Sequence, residues 1–474
     1  MGEVWERDAW DLADAVRSGD LRAVDLLDDS LRRIERFDAE LNAFVHVAVD
    51  EARANAEAID ARVASGEDPG RFAGVPIGVK ELAQVAGWPD THASRLHADD
   101  LAAHDCTEVE RLRAEGAVFV GLTASPEFGS TNWTRSFLHG TTRNPWNPER
   151  TPGGSSGGSA AAVSVGMTPI CTGSDGGGSI RIPCAYTGLF GFKISFGLIG
   201  SNTAFDTGLT SVSGPIARSV LDAARYVDVV AGPTTSDPTS LPKPFPPFEE
   251  RLRSGSAVER VRGLRVAWSS TLGFAVCDPE VERLAHVAAR ALVADGGWEL
   301  VDVDIDFPRP GRAWSMISML DTATSSLEPA RGRMDDVTPV PRAGFEMLEH
   351  ATIDEFVRAN QRRNELLLAI GRVFDEVDLL LTPTTATAAF VAEGPPPTEI
   401  AGQRVSGMGS VPFTAPFNIS GQPAVSIPCG VTGDGLPVGL QVVAKRHHEE
   451  HVLAAGLLAE TNRPWPKLAP LASR

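Results

Sequence analysis

Lysine is nearly absent from this chain. Of 474 residues, 43 are Lys or Arg, and only five of those are lysines: Lys80, Lys193, Lys243, Lys445 and Lys467. Acidic residues number 62, which sets the formal net charge at -19. A surface of that sign repels phosphate backbones and anionic headgroups, so neither a nucleic-acid nor a membrane partner is expected. The five cysteines are scattered and form no C-x-x-C pair, which argues against a disulfide framework or a zinc ribbon. No apolar run approaches the ~18 residues of a membrane span. The N-terminal stretch MGEVWERDAWDLADAV lacks the basic-then-apolar order of a secretory signal. Together these absences predict a reducing, cytoplasmic setting.

What is present suits a large folded body. Hydrophobic residues make up 42% of the chain, enough for a sizeable core. The first 65 residues carry apolar positions at helical spacing (Val24, Leu27, Leu31, Ile34). After a Gly/Pro loop comes a short apolar strand, Val75-Pro76-Ile77-Gly78-Val79-Lys80, and residues 107–124 read as helix then strand. Strand and helix patterns keep alternating after a Pro-rich stretch at 233–256: strands at 264–268, 298–305, 377–381, 424–429 and 438–444, and helices at 278–295, 353–375 and 449–460. The alternation predicts an α/β fold, a sheet with helices on its faces. The expected division is a helical segment at 1–70, a core at 71–232, a connector at 233–256 and a C-terminal part of the same body at 257–474.

The most informative stretch is TPGGSSGGSAAAVSVGMTPICTGSDGGGSIRIPCAYTGLFGFK, residues 151–193. It is not a P-loop, because no Lys stands at the required place. It is not a dinucleotide fingerprint, because no acidic residue closes a following unit. Gly153-Gly154-Ser155-Ser156-Gly157 matches a nucleophile elbow in letters, but the Pro-rich lead-in denies the strand that an elbow needs. Three consecutive glycines before Ser179 would let several backbone N–H groups converge on one point, as an oxyanion hole requires. A serine nucleophile needs a base. No histidine stands out, which draws attention to Lys80 at the end of its apolar run. Lys80 reads either as a strand-end lysine reaching for water or as a desolvated, neutral base. A second motif, His447-His448-Glu449-Glu450-His451, matches a zinc pattern in letters. Its acidic residues also suit the solvated first turn of a helix, and no metal is expected.

These segments resemble the amidase signature family of serine amide hydrolases. The resemblance rests on Gly153 to Ala162, Gly173 to Pro183, the lysine strand Gly74 to Lys80 and the Asn144-Pro145-Trp146-Asn147 turn. It extends to Pro416 to Ala424 and Gly435 to Gln441 near the C-terminus. It implies a large mixed β-sheet sandwiched between helices on both faces (α/β/α). It also implies a Ser–cis-Ser–Lys triad: Ser179 as nucleophile, Ser155 as the bridging serine in a cis peptide and Lys80 as base. Backbone N–H groups of Gly176, Gly177, Gly178 and Ser179 would form the oxyanion hole, with Ser156, Ser174, Asp175 and Arg181 in support. Phe128, Trp133 and Phe137 are expected to line a substrate pocket shaped further by 309–345 and 384–412. No cofactor is implied.

The expected activity is cleavage of a small-molecule aryl, cyclic or linear amide, or a carbamate, by a monomer or homodimer. The alternative is the glutaminase-type subunit of a glutamine-dependent tRNA amidotransferase. Several positions depart from the family pattern: Glu81 after the lysine, Leu122 and Ala124 in place of Lys and Asn, Ile194-Ser195 after Lys193, and Gly176 where a larger residue is common. The last of these predicts a roomier oxyanion loop.

Overall fold

In the computed structural model, which describes residues 3–203 and 208–473, eleven strands form one mixed sheet. In chain order they are β1 (Phe44–Val47), β2 (Pro76–Lys80), β3 (Val118–Thr123), β4 (Ile170–Asp175), β5 (Phe190–Lys193), β6 (Val212–Ala217), β7 (Arg265–Trp268), β8 (Glu299–Leu300), β9 (Leu379–Pro383), β10 (Ala424–Val431) and β11 (Pro437–Ala444). Their spatial order is β1-β3-β2-β4-β6-β5-β10-β11-β9-β7-β8. β2 runs parallel to both β3 and β4. From β4 through β9 the neighbours are antiparallel, and β9, β7 and β8 are parallel again. Helices cover both faces, so the architecture is α/β/α. Among the described residues no helix is long and apolar enough to cross a membrane.

The strands around the lysine are unbroken buried chain because both faces of the sheet are covered there. Every residue of β2 and β3 is buried. Gly78 is required where β2 meets its neighbours, since a Cβ there would lie 2.8 Å from both Cys171 Sγ and Thr123 Cγ2. The helix Gly157–Ser164 is built from small residues, all buried. Its Gly158 leaves no room for a side chain against the backbone of Ala124. Small residues therefore bring the serine-bearing helix start close to the ends of β2 and β3, which is where Lys80 sits.

Two sequence expectations need adjustment, and one region without an expected secondary structure is helical. A short strand, β1, interrupts the helical N-terminal segment and pairs with β3 at the sheet edge. The strand expected at 298–305 pairs only at Glu299–Leu300. The poorly legible 309–345 region consists largely of two helices, Gly311–Ala330 and Pro339–Glu349, joined through a short 3-10 turn. The first reaches the loop after β4 through Trp314, and the second packs against the first.

Candidate active site

Lys80 closes β2 and is 1% exposed. Its backbone N–H donates to Thr172 Oγ1 at 2.8 Å, which ties the strand end to β4. Its Nζ donates to three hydroxyls: Ser155 Oγ at 2.7 Å, Ser156 Oγ at 2.9 Å and Ser174 Oγ at 2.9 Å. A protonated ammonium has three donors and all are satisfied here. In the neutral amine one donor becomes a lone pair, and one of the hydroxyls must then donate to it. Burial pushes the Lys80 pKa down to about 7, against an opposing pull from the charges of Asp175, Glu81 and Glu108.

Lys193 is a useful contrast. Burial also brings it to about 7. Its Nζ, however, donates to two backbone carbonyls, Gln422 O at 2.7 Å and Ile194 O at 3.1 Å. Carbonyl oxygens have no proton to give, so Lys193 holds β5 to β10 and has nothing to deprotonate.

The glycine loop after β4 is held by a buried ion pair. Arg181 donates from Nη2 to Asp175 Oδ1 at 2.8 Å and from Nε to Asp175 Oδ2 at 2.9 Å, and both side chains are fully buried. Burial alone would raise the Asp175 pKa, but the Arg181 charge and its hydrogen bonds hold it well below the ordinary carboxylate range. The remaining polar atoms are matched from the C-terminal segments. Arg181 also reaches Gln441 Oε1 and Asn418 Oδ1, each at 2.6 Å, and Asn418 Nδ2 returns to Asp175 O at 2.7 Å. The sequence resemblance included the runs that contain Asn418 and Gln441 but gave them no role. Their signal was amide side chains inside largely apolar chain, Asn418 in the short helix Ala415–Ile419 and Gln441 in β11, which burial obliges to find partners.

The Gly154–Ser155 peptide is cis. Ser155, Ser179, Gly176 and Gly177 line one cavity of about 430 Å³, a volume suited to a small organic molecule. Ser156 N–H donates to Ser179 O at 3.2 Å, which fixes the two serine segments relative to each other. One expected donor leaves the oxyanion set: Gly178 N–H is already engaged by Asp175 Oδ1 at 2.7 Å. Each glycine has its own reason. Gly178 has φ +127° and faces Thr414 Oγ1 too closely for a side chain, whereas a Cβ on Gly177 would lie 2.5 Å from Trp314 Cζ2. At Gly176 the nearest atoms to such a Cβ are those of Ser211, at 3.6 Å, so that position is roomy.

Of the three aromatic residues expected in the pocket, only Phe128 lines it. Trp133 packs edge-on against Phe390 at 6.4 Å in a separate apolar cluster with Tyr186 and Ile182. Phe137 is 39% exposed in a surface hairpin under the Arg95 guanidinium. Both lie in irregular chain, where sequence offers no period from which to tell a facing direction. The rest of this wall comes from the segment expected to shape the pocket, now seen as the helices 311–330 and 339–349, which contribute Trp314, Met319 and Met347. Glu127, buried beside this wall, ties the helices down by accepting from Thr338 N and Ser94 Oγ, each at 2.6 Å. Glu81, the departure after the lysine, accepts from Ser125 N at 2.7 Å and lies 3.0 Å from His139 Nε2. The helix start at 448–451 is less solvated than expected: Glu449 is buried and accepts from Ser195 N at 2.9 Å. Among the described residues no group of three His, Cys, Asp or Glu side chains is placed to hold a metal.

Known proteins similar to this chain define its family. The Amidase family profile matches residues 25–453, so the chain belongs to the amidase family, the amidase signature enzymes, and is an amide-hydrolysing enzyme that acts on C–N bonds. Among individual relatives, it is 36% identical to a glutamyl-tRNA(Gln) amidotransferase subunit of Synechococcus sp. (strain RCC307), with 94% of each chain covered. It is 32% identical to the acylamidase of Rhodococcus erythropolis, over 98% of this chain and 96% of that protein. The solved structure of a bacterial aryl acylamidase of the amidase signature family superposes with a TM-score of 0.92 at 30% identity, covering 99% of this chain and 98% of that one.

Proposed function

We propose that this chain is a stand-alone hydrolase of small carboxamides, aryl or alkyl, or of the related carbamates, and that Ser179, Ser155 and Lys80 carry the reaction. The observation that supports this most is the buried Lys80 Nζ within hydrogen-bond reach of three serine hydroxyls, two of which, Ser155 and Ser174, line the same cavity as Ser179. Neutral Lys80 accepts the Ser155 proton while Ser155 accepts that of Ser179. Ser179 Oγ then attacks the substrate carbonyl. The negative charge on the carbonyl oxygen is held by the N–H groups of Gly176, Gly177 and Ser179. Collapse of this intermediate breaks the C–N bond, and Ser155 returns the proton to the departing amine, resupplied by Lys80. Water, deprotonated along the same route, cleaves the acyl-serine and restores Ser179. Ser156 and Ser174 hold Lys80 in position, and the Asp175–Arg181 pair holds the loop.

The alternative, a glutaminase-type subunit of a tRNA amidotransferase, is favoured by the identity to a protein of that kind. The cavity chemistry speaks against it. A bound glutamine presents an α-carboxylate that needs a cation, yet among the described residues lining the cavity none is Lys, Arg or His. Its walls carry one carboxylate, Asp321, but are dominated by Leu82, Phe128, Ile182, Trp314, Met319 and Met347, which favour an apolar substrate. Such a chain works as a monomer or homodimer without a second kind of subunit.

The test is fluorophosphonate labelling and anilide hydrolysis by the purified chain beside Ser179→Ala. Labelling and turnover are expected in the wild type alone. Undiminished labelling of Ser179→Ala would remove Ser179 from its role, and a wild type that hydrolyses glutamine but no anilide would restore the amidotransferase reading.

A further inference from the structure

A second cavity of about 430 Å³ lies beside the first. The two share three residues, Trp314, Ser315 and Met408. Trp314 is the bulk of this partition. Its Nε1–H donates to Gly176 O at 3.2 Å, and its ring edge fills the space over Gly177. The indole is thereby anchored to the backbone of the glycine loop, with one cavity on each side of it.

The orientation of a substrate follows from the reading proposed above, on which this inference rests. Ser155 must return a proton to the leaving nitrogen, so the amine half lies on the Ser155 side. There Gly129 approaches Ser155 Oγ so closely that a Cβ would be 3.1 Å away. The acyl half then points the other way, past Gly177 toward Trp314. The cavity beyond is walled by apolar side chains, Val276 and Val411 among them, and two guanidinium residues, Arg309 and Arg404, also line it. An apolar arm fits its walls, and positive charge is the one terminus it rejects.

We propose that this second cavity is a subsite for the distal part of a long acyl group with a neutral or anionic end, and that Trp314 is the specificity-determining residue that limits access to it. Small acyl groups stop at the indole, and removing it joins the two cavities.

The experiment measures kcat/KM for N-acyl anilides from acetyl to decanoyl with wild type, Trp314→Ala and Trp314→Phe. It adds decanoyl-length arms that end in carboxylate or ammonium. Loss of the anchor to Gly176 will lower activity on every substrate, so the readout is the ratio of long to short. Trp314→Ala should raise the decanoyl-to-acetyl ratio by about tenfold or more, the effect of seating one or two extra methylenes in an apolar pocket. Trp314→Phe should shift it less. The carboxylate arm should share the gain and the ammonium arm should not. Adding Val276→Trp to Trp314→Ala, which narrows the second cavity by another of its lining residues, should cancel the gain. A ratio unchanged in Trp314→Ala, or an equal gain for the ammonium arm, overturns the subsite while leaving the triad intact. Acetanilide hydrolysis that survives in Ser179→Ala would instead overturn the reading beneath it.

Discussion

If Lys80 works as a neutral base, activity must follow its deprotonation. With its pKa brought down to about 7 by burial, about a tenth of the enzyme carries neutral Lys80 at pH 6 and about nine-tenths at pH 8. The kcat/KM for a stable anilide should therefore rise about tenfold across that interval and level off above it. Lys80→Arg keeps charge and donors behind Ser155 but removes the titration, because a guanidinium stays protonated at any usable pH. It should lose about a hundred- to ten-thousand-fold on anilides, the range for removal of a positioned acid–base group, and the break near neutrality should vanish from what remains. An activated ester such as a p-nitrophenyl ester discriminates further, because its leaving group departs without a proton. The same substitution should cost the ester markedly less than the anilide. Stopped-time assays of both substrates between pH 5.5 and 9 would check this. A flat wild-type profile through neutrality, or equal losses on both substrates, would refute the role given to Lys80.

Further predictions concern the loop. Gly176→Ala adds a methyl group at ordinary contact distance from Ser211 and keeps the N–H, so kcat/KM should stay within a few-fold of wild type. Gly178→Ala meets both a φ of +127° and Thr414, and should abolish labelling by fluorophosphonate or prevent folding, as read by circular dichroism. Asp175→Asn leaves the fully buried Arg181 without its counter-charge and should destabilise the chain by about 3–5 kcal/mol in chemical denaturation. A loss under about 1 kcal/mol would mean that Asn418 and Gln441 already compensate Arg181.

The legible parts of the fold were those in which one strand or helix carries its own period. The strand ending in Lys80, the helix–strand pair after residue 107, and the long helix 353–376 were all readable in this way. The short strands β5 and β6 were not, because their four and six residues sit among irregular glycine-rich chain and pair only through the sheet. The serines and the lysine were visible as residue types that a site of this kind needs. Hydrogen-bond direction was not visible. Nothing in Gly-Gly-Gly-Ser says that the third glycine's N–H turns inward to Asp175 while its neighbours do not. Nor can a sequence of mixed polarity at 311–349 reveal which of its side chains line the serine cavity, since that depends on how two helices dock beside the loop after β4.

The two buried lysines separate what burial does from what a site does. Both have pKa values brought down to about 7, so a lowered pKa does not by itself mark a base. It does mark a stability effect. Between about pH 7 and 10.5 the unfolded chain holds a proton on each lysine that the folded chain has released, so folding becomes more favourable as pH rises through that window. Each group contributes a slope of about 1.4 kcal/mol per pH unit there. Lys193→Met removes one of them. It also leaves the carbonyls of Gln422 and Ile194 without their donor, so its stability at a single pH is a sum of opposing effects, and the slope is the clean quantity. Subtracting the variant's denaturation free energy from that of the wild type at pH 8, 9 and 10 cancels every other titrating group, including the buried cysteines. The difference should grow in favour of the wild type by about 1.4 kcal/mol per unit, while the kinetic break near neutrality stays in place because Lys80 is untouched. A difference that does not change with pH would mean that Lys193 remains protonated when folded, held by its two carbonyls against the desolvation. A kinetic break lost in Lys193→Met would move the titrating base away from Lys80.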